Sequence, residues 1–223
     1  MSVPANLIAN MLGAGAPGPV VLSSSAGQTT VAAKNHIVML PSGIVAGDLV
    51  LVYFVNDTTN AAGIPGWTTL NTQPFGASAR ASVFYIQATG PMSTVTVNTG
   101  GVANVTAAWV VRRIRGHKDP SVQPPTANGP ATGNNAAPDP ASFTLTPANH
   151  LLIPCCAVDG GTDCTAAPAG YNDQQTGDSG GSFGHVVASN AWKQANVGTE
   201  DPGPFTLAGT DQWAAFTIAI FPA

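Results

Sequence analysis

The chain has 223 residues with 11 acidic and 7 basic side chains, and charged residues make up only 8%, against roughly a quarter in an average soluble protein. This length accommodates one large all-β domain or two small ones with a real core. The slight acidic excess excludes an overall basic field for nucleic acid, and no apolar run reaches the roughly 18 residues of a membrane-spanning helix.

In chain order, residues 1–19 form an expected N-terminal arm. It lacks a positive leading region, and Asn6 and Asn10 interrupt its apolar residues, so it does not resemble a secretory leader. Leu7, Ile8, Met11 and Leu12 are its candidate contact residues. The first β half, residues 20–119, opens with a predicted strand pair, "PVVLSSS" and "HIVML", followed by "DLVLVYFVN" (Asp48–Asn56), "SVFYIQA" (Ser82–Ala88), "STVTVNT" (Ser93–Thr99) and "VTAAWVVRRI" (Val105–Ile114). These runs are apolar, β-branched or aromatic, and Gly and Pro bound them, which is the signature of strands and turns. The 25 Gly and 19 Pro spread along the chain reinforce that reading.

Residues 120–142, "PSVQPPTANGPATGNNAAPDPAS", are rich in Pro, Gly and Asn and read as an extended connector. The second β half, residues 143–223, carries "HLLIPCCAV" (His150–Val158), "HVVASNAW" (His185–Trp192), "FTLAG" (Phe205–Gly209) and "QWAAFTIAIF" (Gln212–Phe221). The halves echo each other at a spacing near one hundred residues. Asp57 answers Asp159, "PGW" at Trp67 answers "AGY" at Tyr171, and "AAWVVRRI" answers "AAFTIAIF". This indicates an internal duplication. The expected fold is an all-β, antiparallel β-sandwich of jelly-roll or immunoglobulin-like kind, with two pseudo-repeated halves in one large sandwich or two packed sandwiches.

The stretch "LPSGIVAGDLVLVYFVNDTTN", followed by "PGW", "VFYIQATG" and "VTVN", resembles a family of tailed-bacteriophage virion-associated proteins with a Gly-Asp-Leu strand and a Gly-Trp turn. "AGYNDQQ", "ASNAWKQANVGTEDPGPFTLAG" and "DQWAAFTIAIFPA" extend the resemblance to Ala223. It implies a β-sandwich virion component acting by contact: a capsid decoration, cement or head-spike protein, made in the host cytoplasm. Its implied partners are other phage structural proteins, the major capsid or tail proteins, and copies of itself. The alternative is a tail- or head-attached module that binds a receptor or host-surface glycan.

Several residues invite chemical readings. "GDSGGSFG" around Ser179 imitates the nucleophile motif of chymotrypsin-like proteases, but a triad needs a base in context. His36 in "AAKNHIV" and His117 in "GHKDP" lack that context, so the expectation is a Gly/Ser turn and no catalytic residue. Asp159, Asp163, Asp173 and Asp178 match no calcium loop; they read as solvated or turn-capping acids, and no metal or cofactor is expected. His150 and His185 stand at strand starts and read as ordinary structural residues. Cys155, Cys156 and Cys164 are too few and clustered for a disulfide framework, which fits synthesis in a reducing compartment. Neighbours on a strand face opposite ways, so at most one of Cys155 and Cys156 faces Cys164.

Arg112, Arg113 and Arg115, with Lys118, gather four of the seven positive charges. They are either strand-end side chains that keep an edge soluble or a docking patch for an acidic partner. Trp67 and Tyr171 are candidate sugar-stacking platforms or rings folded over a sheet end.

Overall fold

The computed structural model describes residues 18–101, 105–180 and 184–223. The first half contributes β1 (Val20–Ala33), β2 (Asn35–Met39), β3 (Leu49–Asn56), β4 (Thr68–Phe75), β5 (Ala79–Gln87), β6 (Thr94–Asn98) and β7 (Val105–Arg115). Then follow β8 (Thr126–Ala127), β9 (Ala131–Asn135), β10 (Phe143–Thr144), β11 (Asn149–Asp159), β12 (Cys164–Ala166) and β13 (Asn172–Asp178). The last four are β14 (Val186–Asn196), β15 (Thr199–Glu200), β16 (Thr206–Leu207) and β17 (Asp211–Ile220).

All pairings are antiparallel and build two large sheets. The first runs β1-β7-β3-β5-β4; the second runs β13-β14-β11-β17-β8, with β9 also pairing β17. Read from the opposite end, the second order is the first with β17, β11, β14 and β13 standing for β7, β3, β5 and β4. The duplication seen in the sequence is therefore a duplication of topology. It extends to side chains: Gly27 on β1 lies opposite Trp109 of β7, and Gly133 on β9 lies opposite Trp213 of β17. A Cβ at Gly27 would sit 2.8 Å from the Trp109 indole, and one at Gly133 closer still to Trp213. Each indole lies over its edge strand only because a glycine is there.

The sheets pack face to face. Leu49, Leu51, Tyr53 and Val55 of β3 meet Leu151, Ile153, Cys155 and Ala157 of β11 in one core, joined by Ala214, Phe216 and Ile218 of β17. The alternate residues point outward to smaller layers. Val50, Val52, Phe54 and Trp109 pack beneath the β2·β6 pair with Val38 and Val97, while Cys156, Val158 and Trp213 pack beneath β12·β16 with Phe205 and Leu207. Both faces of β3, β7, β11 and β17 are thus covered, so these strands read as continuous apolar runs rather than alternating ones. The result is two packed sandwiches that share their large-sheet faces.

Two of the longer strands have no apolar signature. β4 (TTLNTQPF) and β13 (NDQQTGD) are polar and largely exposed, because each is the outermost strand of its sheet. The segment expected as a connector opens on a turn and supplies β8 and β9, which flank β17.

Candidate functional site

The arginine cluster divides into an internal lock and a strand-end clamp. Arg112 is fully buried. It lies on the β7 face that carries Ala108 and Ile114 toward the second sheet, and its guanidinium crosses into the other half. Nε donates to Asn190 Oδ1 at 2.9 Å, Nη2 to the Asn190 carbonyl at 3.0 Å and to the Asp173 carbonyl at 2.7 Å, and Nη1 to Ser24 Oγ at 2.6 Å. Nη1 also forms an ion pair with the Asp173 carboxylate. Asp173 offers both its carboxylate and its carbonyl because it sits in the left-handed region, φ 50°, at a register shift of β13 against β14. Burial pushes the Asp173 carboxyl up, but hydrogen bonds from Gln175, Ser24 and Arg112 and the charge of Arg112 outweigh it, holding the carboxyl below its ordinary range.

The sequence-based readings of Arg112 as a strand-end solubilising residue or part of a docking patch are therefore corrected. A fully desolvated guanidinium with every donor direction engaged has nothing left for an outside partner. In the second half its counterpart is Phe216, whose ring meets Tyr53 edge-on at 5.8 Å. The two halves thus join through an aromatic pair on one side and a polar network on the other.

Arg113 and Arg115 converge on Asp48, with Arg113 Nε 2.6 Å from Oδ2 and Arg115 Nη2 2.7 Å from Oδ1. Asp48 is buried and also accepts the Val45 N–H at 3.0 Å. Burial raises its carboxyl, and the Val45 N–H with the two arginines more than reverse this, leaving it below the usual carboxylate range. The Gly-Asp-Leu motif is thus a structural clamp at the start of β3. Sequence reading missed Asp48 because its partners lie 65 and 67 residues away.

Ser179 is buried. Its hydroxyl accepts the Val186 N–H at 2.9 Å, and its own N–H donates to the Val186 carbonyl at 3.0 Å. The neighbouring His185 pairs with Asp178, whose carboxylate also accepts the Gly180 N–H at 2.9 Å, with Gly180 at φ 52°. Ser179 thus ties the end of β13 to the start of β14, and its hydroxyl does not reach solvent.

The acids are engaged separately. Asp159 accepts the N–H groups of Ala77 and Ser78 at 2.9 and 3.3 Å. Asp163 accepts the Ala208 N–H through its carbonyl at 2.9 Å. Among the described residues no group of three His, Cys, Asp or Glu side chains is placed to hold a metal ion. Burial, followed by the charges of Asp57 and Asp211, raises the Asp159 carboxyl against the pull of the two N–H groups.

The candidate platforms are partly buried. Tyr171 packs beside Phe143 and Leu152, donates its hydroxyl to Glu200 at 3.0 Å and carries the Lys193 ammonium 4.7 Å from its ring centroid. Trp67 is half-buried against the outer core of the first sheet. Cys156, not Cys155, shares the outer cluster with Cys164, and all three cysteines are free and buried.

The histidines are structural. His150 Nε2 is 2.7 Å from the Thr146 carbonyl, and His117 Nε2 is 3.0 Å from the Gly47 carbonyl. His36 Nδ1 shares a hydrogen bond with Thr29 Oγ1 at 3.1 Å. Burial pushes the His36 pKa down to about 4, against the upward pull of the Ala33 carbonyl, so the ring is neutral at pH 7. Leu7, Ile8, Met11 and Leu12 lie outside the described residues.

These features define an all-β chain of two packed sandwiches. Comparison with protein-family models, with curated proteins and with solved structures found no match.

Proposed function

We propose that the chain is a structural component of a tailed-bacteriophage particle, a capsid decoration or head-spike protein that works through contact area. The observation that carries this reading is the placement of charge. Arg112, Arg113, Arg115 and Lys193 are consumed in intramolecular ion pairs, while the exposed surface includes Leu22, Val31, Ile37, Met39, Val45 and Val122. A surface of hydroxyls, amides and scattered apolar groups desolvates cheaply, and many weak contacts repeated over a lattice sum to firm attachment. The resemblance of the Gly-Asp-Leu strand and Gly-Trp turn supplies the phage context.

The glycan-binding alternative has less support, since Tyr171 is covered by Lys193 and its hydroxyl is engaged. The test is co-sedimentation of the purified chain with phage particles assembled without it. Saturable binding that persists at about 0.5 M salt, where surface charge is largely screened, is expected. Absence of binding to heads and tails, or a glycan-array hit in its place, overturns the proposal.

A further inference from the structure

The groove between β1 and β2 is a site that none of the structural roles above accounts for. The outward face of β1 is tied to β2 at two points, by Ser25 Oγ donating to the Met39 carbonyl at 2.8 Å and by the Thr29–His36 hydrogen bond. Between them Gly27 has no side chain, and a groove of about 600 Å³ opens, lined by Gly27, Thr29, His36, Ile37, Met39 and Trp109.

Three observations converge there. First, among the described residues β2 pairs with β6 alone. The Leu40 N–H to Ser93 and Thr99 N–H to Lys34 bonds set the even-numbered residues of β2 toward β6. The backbone polar groups of Asn35 and Ile37 and the Met39 N–H therefore point to the free edge, the Met39 carbonyl being held by Ser25. Second, the Ile37 and Met39 side chains are 65% and 57% exposed beside that edge. Third, two residues lining the groove, Trp109 and His36, each hold a buried ring nitrogen, Nε1 and Nε2, with no hydrogen-bond partner among the described residues. In the second half Trp213 Nε1 donates to Asn135 Oδ1 at 3.1 Å. The strand pairing puts Thr29 at the place of Asn135, and the Thr29 hydroxyl is already bound to His36. The first half thus lacks the carboxamide that completes the second.

We propose that residues 4–13 of a second copy of this chain, "PANLIANMLG", add as an extended strand to the free edge of β2 and set an asparagine carboxamide in the groove against Trp109 and His36. This segment lies among the 17 residues before Gly18, which carry no charged side chain. Extended, it presents Asn6, Ile8 and Asn10 on one face and Leu7, Ala9 and Met11 on the other. Its backbone satisfies the strand edge, its apolar residues cover Ile37 and Met39, and a carboxamide supplies both an acceptor for the indole N–H and a group of either kind for the imidazole. The path of the chain favours a second copy. Gly18 lies against Asn149, and Gln194 Nε2 donates to the Pro19 carbonyl at 2.7 Å, so the chain reaches β1 from the second-half side, opposite the groove. The inference deepens the contact-based reading of function and rests on it.

The test uses the full chain with p-benzoylphenylalanine at position 37. After irradiation, a covalent dimer whose adduct maps to residues 4–13 of the other copy is expected, and it should disappear in excess synthetic peptide of residues 3–14. Fluorescence anisotropy of the same labelled peptide should show at least about tenfold weaker binding to the Ile37→Lys/Met39→Lys variant, whose changes are at exposed positions and leave the core intact. An adduct within one chain only, β2-to-β2 adducts, no adduct, or unchanged peptide binding by the variant overturns the inference. Particle binding that persists without the adduct sinks this inference alone and leaves the proposed function standing.

Discussion

Replacing Arg112 with alanine tests the junction between the halves. The guanidinium is fully buried while the Asp173 side chain is 40% exposed. Truncation strands the buried Asn190 side chain and leaves a cavity, but the partly solvated Asp173 carboxylate recovers some hydration. Breaking a buried charge network by removing one partner costs about 3–5 kcal/mol, and partial exposure of Asp173 argues for the lower end. At about 2–4 °C per kcal/mol for a chain of this size, Arg112→Ala should lower Tm by roughly 6–12 °C, read by calorimetry and by urea unfolding at constant m. The variant Arg112→Met/Asp173→Asn/Asn190→Val copies the apolar character of the Phe216 side and should return to within about 1 kcal/mol of the parent, because desolvation no longer has to be offset. A loss below about 1 kcal/mol for Arg112→Ala refutes the reasoning, and the triple variant keeps the test open if the single one does not fold.

Three further outcomes follow from the same packing. Gly27→Ala and Gly133→Ala each push a Cβ into an indole and should each cost about 1–3 kcal/mol, so a large effect at only one of them argues against equivalent halves. Because the Asp48 and Asp173 carboxyls are held low in the folded chain, the stability they contribute is complete above the unfolded carboxylate pKa of about 4 and is lost as pH falls through the folded values. Tm followed from pH 7 to pH 2 should show this loss below about pH 4, and Asp48→Asn should flatten it; a loss already complete at pH 5 contradicts the assignment. Ser179→Ala deprives the Val186 N–H of its acceptor and should cost about 1–2 kcal/mol with no change in particle binding, whereas loss of an esterase or protease activity would restore the nucleophile reading.

The central strands were legible in the sequence because burial on both faces leaves continuous apolar runs in β3, β7, β11 and β17. The duplication was legible in the matched strands, but the sequence match of "AAWVVRRI" with "AAFTIAIF" set Trp109 against Phe216, whereas the strand register sets it against Trp213. The edges were not: β4 and β13 face solvent on one side, so their hydroxyl and amide side chains carry no strand signal. The role of Arg112 was hidden as well. Arginine in a strand end ordinarily means solvent, and only the fold brings Asn190, 78 residues away, and a left-handed Asp173 to its donors. The groove at Gly27 was equally silent, since it consists of what is missing relative to Asn135.

The claim that this double sandwich is a part of a phage particle, attached by neutral surface, is tested most directly by imaging intact particles that encode it. Regularly repeated density on head or tail into which two packed sandwiches fit, lost from particles lacking the chain, is the predicted result. Particles of unchanged outline with the chain left free in the lysate would contradict it.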